Sequence, residues 1–132
     1  MREPLWVTAD EVIELNKALV AATGEKHLVR DQGALEGALN RPVSYYQYDD
    51  VREVHFLAGY LTLAIGKAHA FEQGNKRTAW AAARLFIHNN GYSVKLTEMS
   101  QQVAAWTIDD MMNDEDRVKQ LIHFLGSVIE PV

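Results

Sequence analysis

The 132-residue chain contains no cysteine. That excludes a disulfide framework, a thiol nucleophile and any thiolate metal site. With five histidines, a zinc site would have to be built from His and carboxylates. Proline and glycine are sparse, three and eight, leaving little room for linkers, and no repeat or low-complexity segment interrupts the chain. No run approaches the roughly 18 apolar residues of a membrane span. Asp10, Glu11 and Glu14 break any charged-then-apolar leader at the start. Excess basic charge is missing too. A net charge of −5 argues against coating duplex DNA through a general basic surface. What remains is 48% hydrophobic and 23% charged, the balance of a folded globular chain. The length suits one domain over 1–132 with a single core. The expectation is a soluble cytoplasmic protein with no membrane and no direct nucleic-acid partner.

The hydrophobic periodicity is helical almost throughout. Thr8-Ala9-Asp10-Glu11 is a capping box. Val12, Leu15, Leu19 and Ala22 follow at helical spacing, and Gly24 stops the helix. A second short helix is expected from near Asp31 to just before Pro42, because a residue preceding proline is pushed away from helix. Residues 41–50, RPVSYYQYDD, then read as an exposed loop or short hairpin, with Tyr45, Tyr46 and Tyr48 as a candidate flap for docking an extended target segment. Val54 to Ala68 is apolar on several sides and is expected to be the central helix. A fourth helix is expected from Asn75, read as its N-cap, to about Asn90, before Gly91. A fifth runs from Thr97 to Met112, and a sixth from Asn113 or Asp114 to Ile129. Tyr92–Leu96 is the one strand-like stretch. The fold class is therefore all-α, a compact bundle of about six helices. Trp6, Trp80 and Trp106 are assigned to its core.

The chemistry is concentrated between the third and fourth helices, in Lys67-Ala68-His69-Ala70-Phe71-Glu72-Gln73-Gly74-Asn75-Lys76-Arg77-Thr78. From Lys67 to His88 four cations face one anion, in a chain that is acidic overall. Lys76 and Arg77 lie in the first turn of a helix, where the macrodipole is already positive. A helix built only for stability would carry carboxylates there. Cations beside unpaired backbone N–H groups suit an anion of phosphate size. Gly74 permits a sharp turn that brings amides close to such a ligand. His69, at the other edge of the loop, is the natural general base near neutral pH. Together these residues suggest phosphoryl or nucleotidyl transfer to a hydroxyl.

His69-x-Phe71-x-x-Gly74-Asn75-Lys76-Arg77 resembles the signature of the Fic/Doc proteins, in the Asn-Lys-Arg form of the death-on-curing (Doc) branch. The resemblance extends upstream through Val29-Arg30-Asp31-x-Gly33-x-Leu35-Glu36-x-Ala38-Leu39-x-Arg41-Pro42. It implies that His69 is the catalytic base, that Phe71 packs inward to anchor the loop, and that Asn75 with the amides around Gly74 holds phosphate oxygens. Lys76 and Arg77 would bind the nucleotide phosphates. It further implies ATP as substrate with Mg²⁺, a toxin acting as a protein kinase on translation elongation factor Tu, and an antitoxin that restrains it in trans. One position departs from the pattern. The family usually has Asp or Glu immediately before the Gly, as part of the Mg²⁺ shell, and this chain has Gln73 beside Glu72. An amide offers one neutral oxygen in place of a carboxylate.

Two other readings stand beside the kinase. One is Fic-type adenylyl transfer, disfavoured by Lys76 where such relatives have Gly and by Trp80 where they have a second Arg. The other is a catalytically degenerate module that binds nucleotide or a partner without turnover, for which Gln73 speaks. Taken singly, the residues also have plain explanations: His69 as a hydrogen-bonded core histidine, Lys76 and Arg77 as a solvated face, Tyr45–Tyr48 as an aromatic lid, and Asp109–Asp116 as a solvated helix junction. No Ser or Thr is followed four positions later by Glu, so the inhibitory helix motif of some Fic relatives is absent.

Overall fold

The structure, a computed structural model, describes residues 2–132. Among them are six α-helices, α1 (Ala9–Ala22), α2 (Gln32–Tyr48), α3 (Val54–Ala68), α4 (Asn75–Asn89), α5 (Glu98–Asn113) and α6 (Val118–Val128). A 3-10 turn at Glu115–Arg117 leads into α6. The all-α expectation holds, and most boundaries fall within a residue or two of those read from the sequence. The Thr8 hydroxyl accepts from the Glu11 amide while the Glu11 carboxylate accepts from the Thr8 amide, so the capping box is complete. Thr97 caps α5, and Asp114 caps the turn before α6.

Helix α3 is the axis of the bundle, with Leu57 to Gly66 buried except Tyr60. Helices α2, α4, α5 and α6 pack around it and α1 lies on α4. Close approach is built from small residues. A Cβ on Gly59 would fall 2.6 Å from Ile122 of α6, and one on Gly66 would fall 2.6 Å from the Met112 sulfur of α5. A two-stranded antiparallel ribbon closes the far end. There β1 (Tyr92–Val94) pairs with β2 (Ile129–Pro131), Ser93 opposite Glu130. The sixth helix therefore ends before Ile129, which turns into the ribbon.

Two expectations fail. The segment 41–50 is neither loop nor hairpin, because α2 continues through Pro42 to Tyr48. Proline in a helix interior removes one hydrogen bond and costs about 3 kcal/mol. Here Leu35, Ala38, Pro42 and Tyr46 form one buried stripe across it, and burial of such a stripe outweighs that cost. Tyr46 is buried, edge-on to Trp6 at 5.8 Å, with the Arg52 guanidinium 4.4 Å over its ring. Tyr45 stacks on Tyr60 at 4.0 Å, and Tyr48 alone is exposed. These tyrosines do not form a flap. Trp6 and Trp80 pack against the core as half-buried rings, but Trp106 is 61% exposed on α5.

Candidate active site

The segment between α3 and α4 makes two left-handed turns. His69 caps α3 at φ 49°, ψ 42°. This conformation costs a non-glycine residue about 1 kcal/mol and persists where surrounding contacts enforce it. Gly74 begins α4 at φ 76°. A Cβ there would sit 3.1 Å from Val20 and 3.4 Å from the Asn16 amide, so both the backbone angle and the space select glycine.

Between the two turns the chain is tied down on every side. Ala70 and Phe71 are buried. Val29 forms a β-bridge with Phe71. The Arg30 and Asp31 amides donate to the Ala70 carbonyl at 2.7 and 3.2 Å, and the Glu72 amide donates to the Leu28 carbonyl at 3.0 Å. Asn75 was expected to cap α4 with its side chain. Gly74 holds the cap position instead, and Asn75 is the first helical residue. Its carboxamide faces backwards, accepting from the Phe71 amide at 3.1 Å and donating to the Phe71 carbonyl at 2.8 Å. From α1, the buried Asn16 donates to the Gln73 carbonyl at 2.8 Å and to the Thr78 hydroxyl at 3.0 Å.

These ties hold the loop beside a cleft of about 560 Å³. Its walls are Gly66, Lys67 and His69 from the end of α3, Glu72 to Arg77 from the loop and α4, and Met112 and Asn113 from α5. His69 and the motif residues Glu72, Gln73, Gly74, Asn75, Lys76 and Arg77 thus share one concavity, with Phe71 beneath it in the core. Four N–H groups at the start of α4, from Gly74 to Arg77, have no intrahelical acceptor.

The two motif cations are each matched by a carboxylate from another element. Lys76 Nζ lies 2.6 Å from Asp109 of α5. Arg77 Nη2 lies 2.7 Å from Glu25, just beyond α1. Glu25 also accepts from the Thr23 hydroxyl, and that bond, followed by the Arg77 bond, holds its carboxyl below the usual range. Glu72 lies 3.5 Å from Arg30. Asp109 therefore ties α5 to Lys76 of α4 and is more than part of a solvated junction, and Glu25 supplies a carboxylate to Arg77. Arg84, the last of the four cations between Lys67 and His88, lies elsewhere, in a separate depression with Leu85 and Tyr92. Among the described residues no three His, Cys, Asp or Glu side chains cluster as a metal site. One carboxylate, Glu72, and one amide, Gln73, fit a Mg²⁺ that takes most of its shell from phosphates and water, and do not fit an all-protein cage. No helix among the described residues is long and apolar enough to cross a membrane.

Asn16, Glu25, Asp109, Met112 and Asn113 are absent from the sequence reading of the site. None lies in the motif, and only folding brings α1 and α5 to it. The one signal in the sequence was an amide at Asn16 in register with Val12 and Val20 on an otherwise apolar stripe.

The Fic/DOC family model matches residues 6–87, a span that runs from the start of α1 through the loop and most of α4. Toxin Doc of Mycolicibacterium smegmatis is 35% identical over 94 residues, covering 70% of this chain and 68% of its own length. Protein kinase doc of Escherichia phage P1 is 27% identical over 88 residues, covering 67% and 70%. The matched span contains both the segment that ties the loop and the loop itself, and on that match the chain belongs to the Fic/Doc family.

Proposed function

We propose that the protein is a Doc-type toxin that transfers the γ-phosphoryl group of ATP to a hydroxyl of a translation factor resembling elongation factor Tu, and that an antitoxin restrains it in trans. The observation that carries this reading is the convergence of His69, the uncapped first turn of α4 and two cations on one cleft. The names of the two relatives, a toxin and a protein kinase, agree with it.

In this reading His69 accepts the proton of the target hydroxyl as its oxygen attacks the γ-phosphorus. The bond from that phosphorus to the β,γ-bridging oxygen breaks, and ADP leaves. Lys76 and Arg77 exchange Asp109 and Glu25 for phosphate oxygens, and the α4 amides bind the developing charge. Glu72 and Gln73 would help hold Mg²⁺, which when bound neutralises phosphate charge. Asn75 holds the loop through Phe71 and so places the amides.

A second reading, a module that binds without turnover, is favoured by Gln73 in the family's acidic position and by the pairing of Glu72 with Arg30. One experiment separates these and the adenylyl-transfer alternative. The protein is incubated with Mg²⁺, a cell extract and ATP labelled at the γ- or the α-phosphate. Labelling of a protein by γ-label alone supports the kinase. Labelling by α-label alone means adenylyl transfer, and no labelling by either means a binding module.

A further inference from the structure

Helix α1 turns a stripe of Val12, Asn16 and Val20 into the core, each fully buried. The middle position is an amide where packing alone would take a leucine. Its hydrogen bonds reach residues 57 and 62 positions later, Gln73 and Thr78. Their chemistry leaves one arrangement. A backbone carbonyl only accepts, so Asn16 presents Nδ2 to Gln73. The second Nδ2 proton goes to the Thr78 hydroxyl. Oδ1 is left facing His27 Nδ1 at 2.8 Å, and that ring nitrogen must carry the proton. The Gln73 carbonyl thereby fixes which way the Asn16 amide points, and His27 occupies the oxygen left over.

The consequence is local and directional. The carbonyl of Gln73 and the N–H of Gly74 belong to one planar trans peptide and point in opposite directions. With the carbonyl held against α1, the Gly74 N–H is aimed away from α1, and it finds no acceptor among the described residues. Thr78, held by the same amide, fixes the first turn of α4 against the same helix.

We propose that Asn16, its oxygen held by His27, is a positioning residue: it clamps the Gln73–Gly74 peptide and Thr78 to α1, and so sets the direction in which the α4 amides meet a phosphate in the cleft. The geometry rests on these hydrogen bonds, and the consequence for catalysis rests on the phosphoryl-transfer reading.

The test compares the wild-type protein with Asn16→Leu, which keeps the volume and removes both donors, and Asn16→Asp, which keeps an acceptor for His27. Thr78→Val and Thr78→Ser remove and retain the hydroxyl. Amide hydrogen exchange is measured along the chain, and kcat and KM for ATP are measured in γ-phosphoryl transfer. In Asn16→Leu and Asn16→Asp, exchange at the hydrogen-bonded amides of Phe71, Glu72 and Thr78 is expected to quicken at least about tenfold, with α3 and α6 unchanged. The kcat is expected to fall about 10²-fold, the usual consequence of a misplacement near 1 Å, with KM rising less. Thr78→Ser should stay near wild type and Thr78→Val should not. If Asn16→Leu does not fold, Asn16→Asp and Thr78→Val give the same readout. Unchanged exchange at Phe71, Glu72 and Thr78 overturns the clamp. So does exchange that rises evenly through the chain with kcat per folded molecule intact, which would make Asn16 a core residue only. If the wild-type protein transfers no phosphoryl group, the functional reading fails by itself and the exchange pattern still decides the clamp.

Discussion

The floor and the rim of the cleft are held by different physics. The floor, from Ala70 to Thr78, is fixed by hydrogen bonds among buried or half-buried groups: the bridge to Val29, the Asn75 carboxamide on Phe71 and the Asn16 amide on Gln73. In low dielectric such bonds are directional, and breaking one leaves a partner unsatisfied. The rim is held by Lys76–Asp109, Arg77–Glu25 and Arg30–Glu72, whose side chains are exposed except for the half-buried Glu25. Exposed ion pairs are weak, screened by salt and readily exchanged. The difference suits the proposed transfer, in which the amides stay still while the cations change partners.

That contrast can be broken in graded ways. The largest effect is expected from removing His69, the proton acceptor of the proposed transfer, between floor and rim. His69→Ala should lower the transfer rate at least about 10²-fold, the range for loss of a general base. Tm should stay near wild type, because the imidazole is exposed and alanine keeps a Cβ at the left-handed cap. A folded variant that transfers at the wild-type rate would remove His69 from the mechanism.

Breaking the floor comes next. Gly74→Ala places a Cβ 3.1 Å from Val20 at a φ of 76°, and should destabilise the protein by about 1–3 kcal/mol in urea unfolding. Nucleotide affinity should fall with it, since the first turn of α4 must shift. An alanine variant with wild-type stability and affinity would show that the turn relaxes freely and that the floor is not rigid.

The floor was also the less legible half. The motif placed His69, Gly74, Lys76 and Arg77 on one loop, and the capping box at Thr8 and the apolar run of α3 fixed the elements around it. These are local signals, carried by residues within a turn of one another. The ties that hold the loop are not local. Asn16 and Gln73 meet only after α1 packs on α4, and Glu25 and Asp109 reach their cations from other parts of the chain. The failure at Pro42 has the same origin. A steric rule acting on adjacent residues ended α2 there, whereas the burial of Leu35, Ala38 and Tyr46 on one face carries the helix through. Trp106 fails the other way. Its size suggested burial, but its position on α5 faces solvent.

Breaking the rim should change binding and spare the fold. Lys76→Ala and Arg77→Ala are each expected to weaken ATP binding by about tenfold, the value of one charge-assisted phosphate contact. Tm should stay within a few degrees of wild type, because exposed pairs contribute little and a cation leaves the positive end of a helix dipole. Calorimetric titration and thermal unfolding measured together check this. Unfolding of either variant with unaltered affinity would make its pair a structural bond and erase the distinction between rim and floor.

The smallest effect sharpens the comparison most, because it moves in the opposite direction. In the proposed reading Glu25 competes with phosphate for Arg77, so Glu25→Gln should tighten ATP binding, by up to about fivefold for a pair this exposed. The pH dependence fixes the sign. The Thr23 hydroxyl and Arg77 hold the Glu25 carboxyl below its usual range. The wild-type pair is therefore intact throughout neutral pH and is lost only as pH falls through that lowered value. The advantage of the variant should be constant between about pH 6 and 8. It should narrow under acid conditions, where wild-type Glu25 protonates and releases Arg77 unaided. Added salt should also narrow it, by screening the pair. If Glu25→Gln weakens binding instead, Glu25 holds Arg77 in the orientation that phosphate requires, and this part of the rim belongs with the floor.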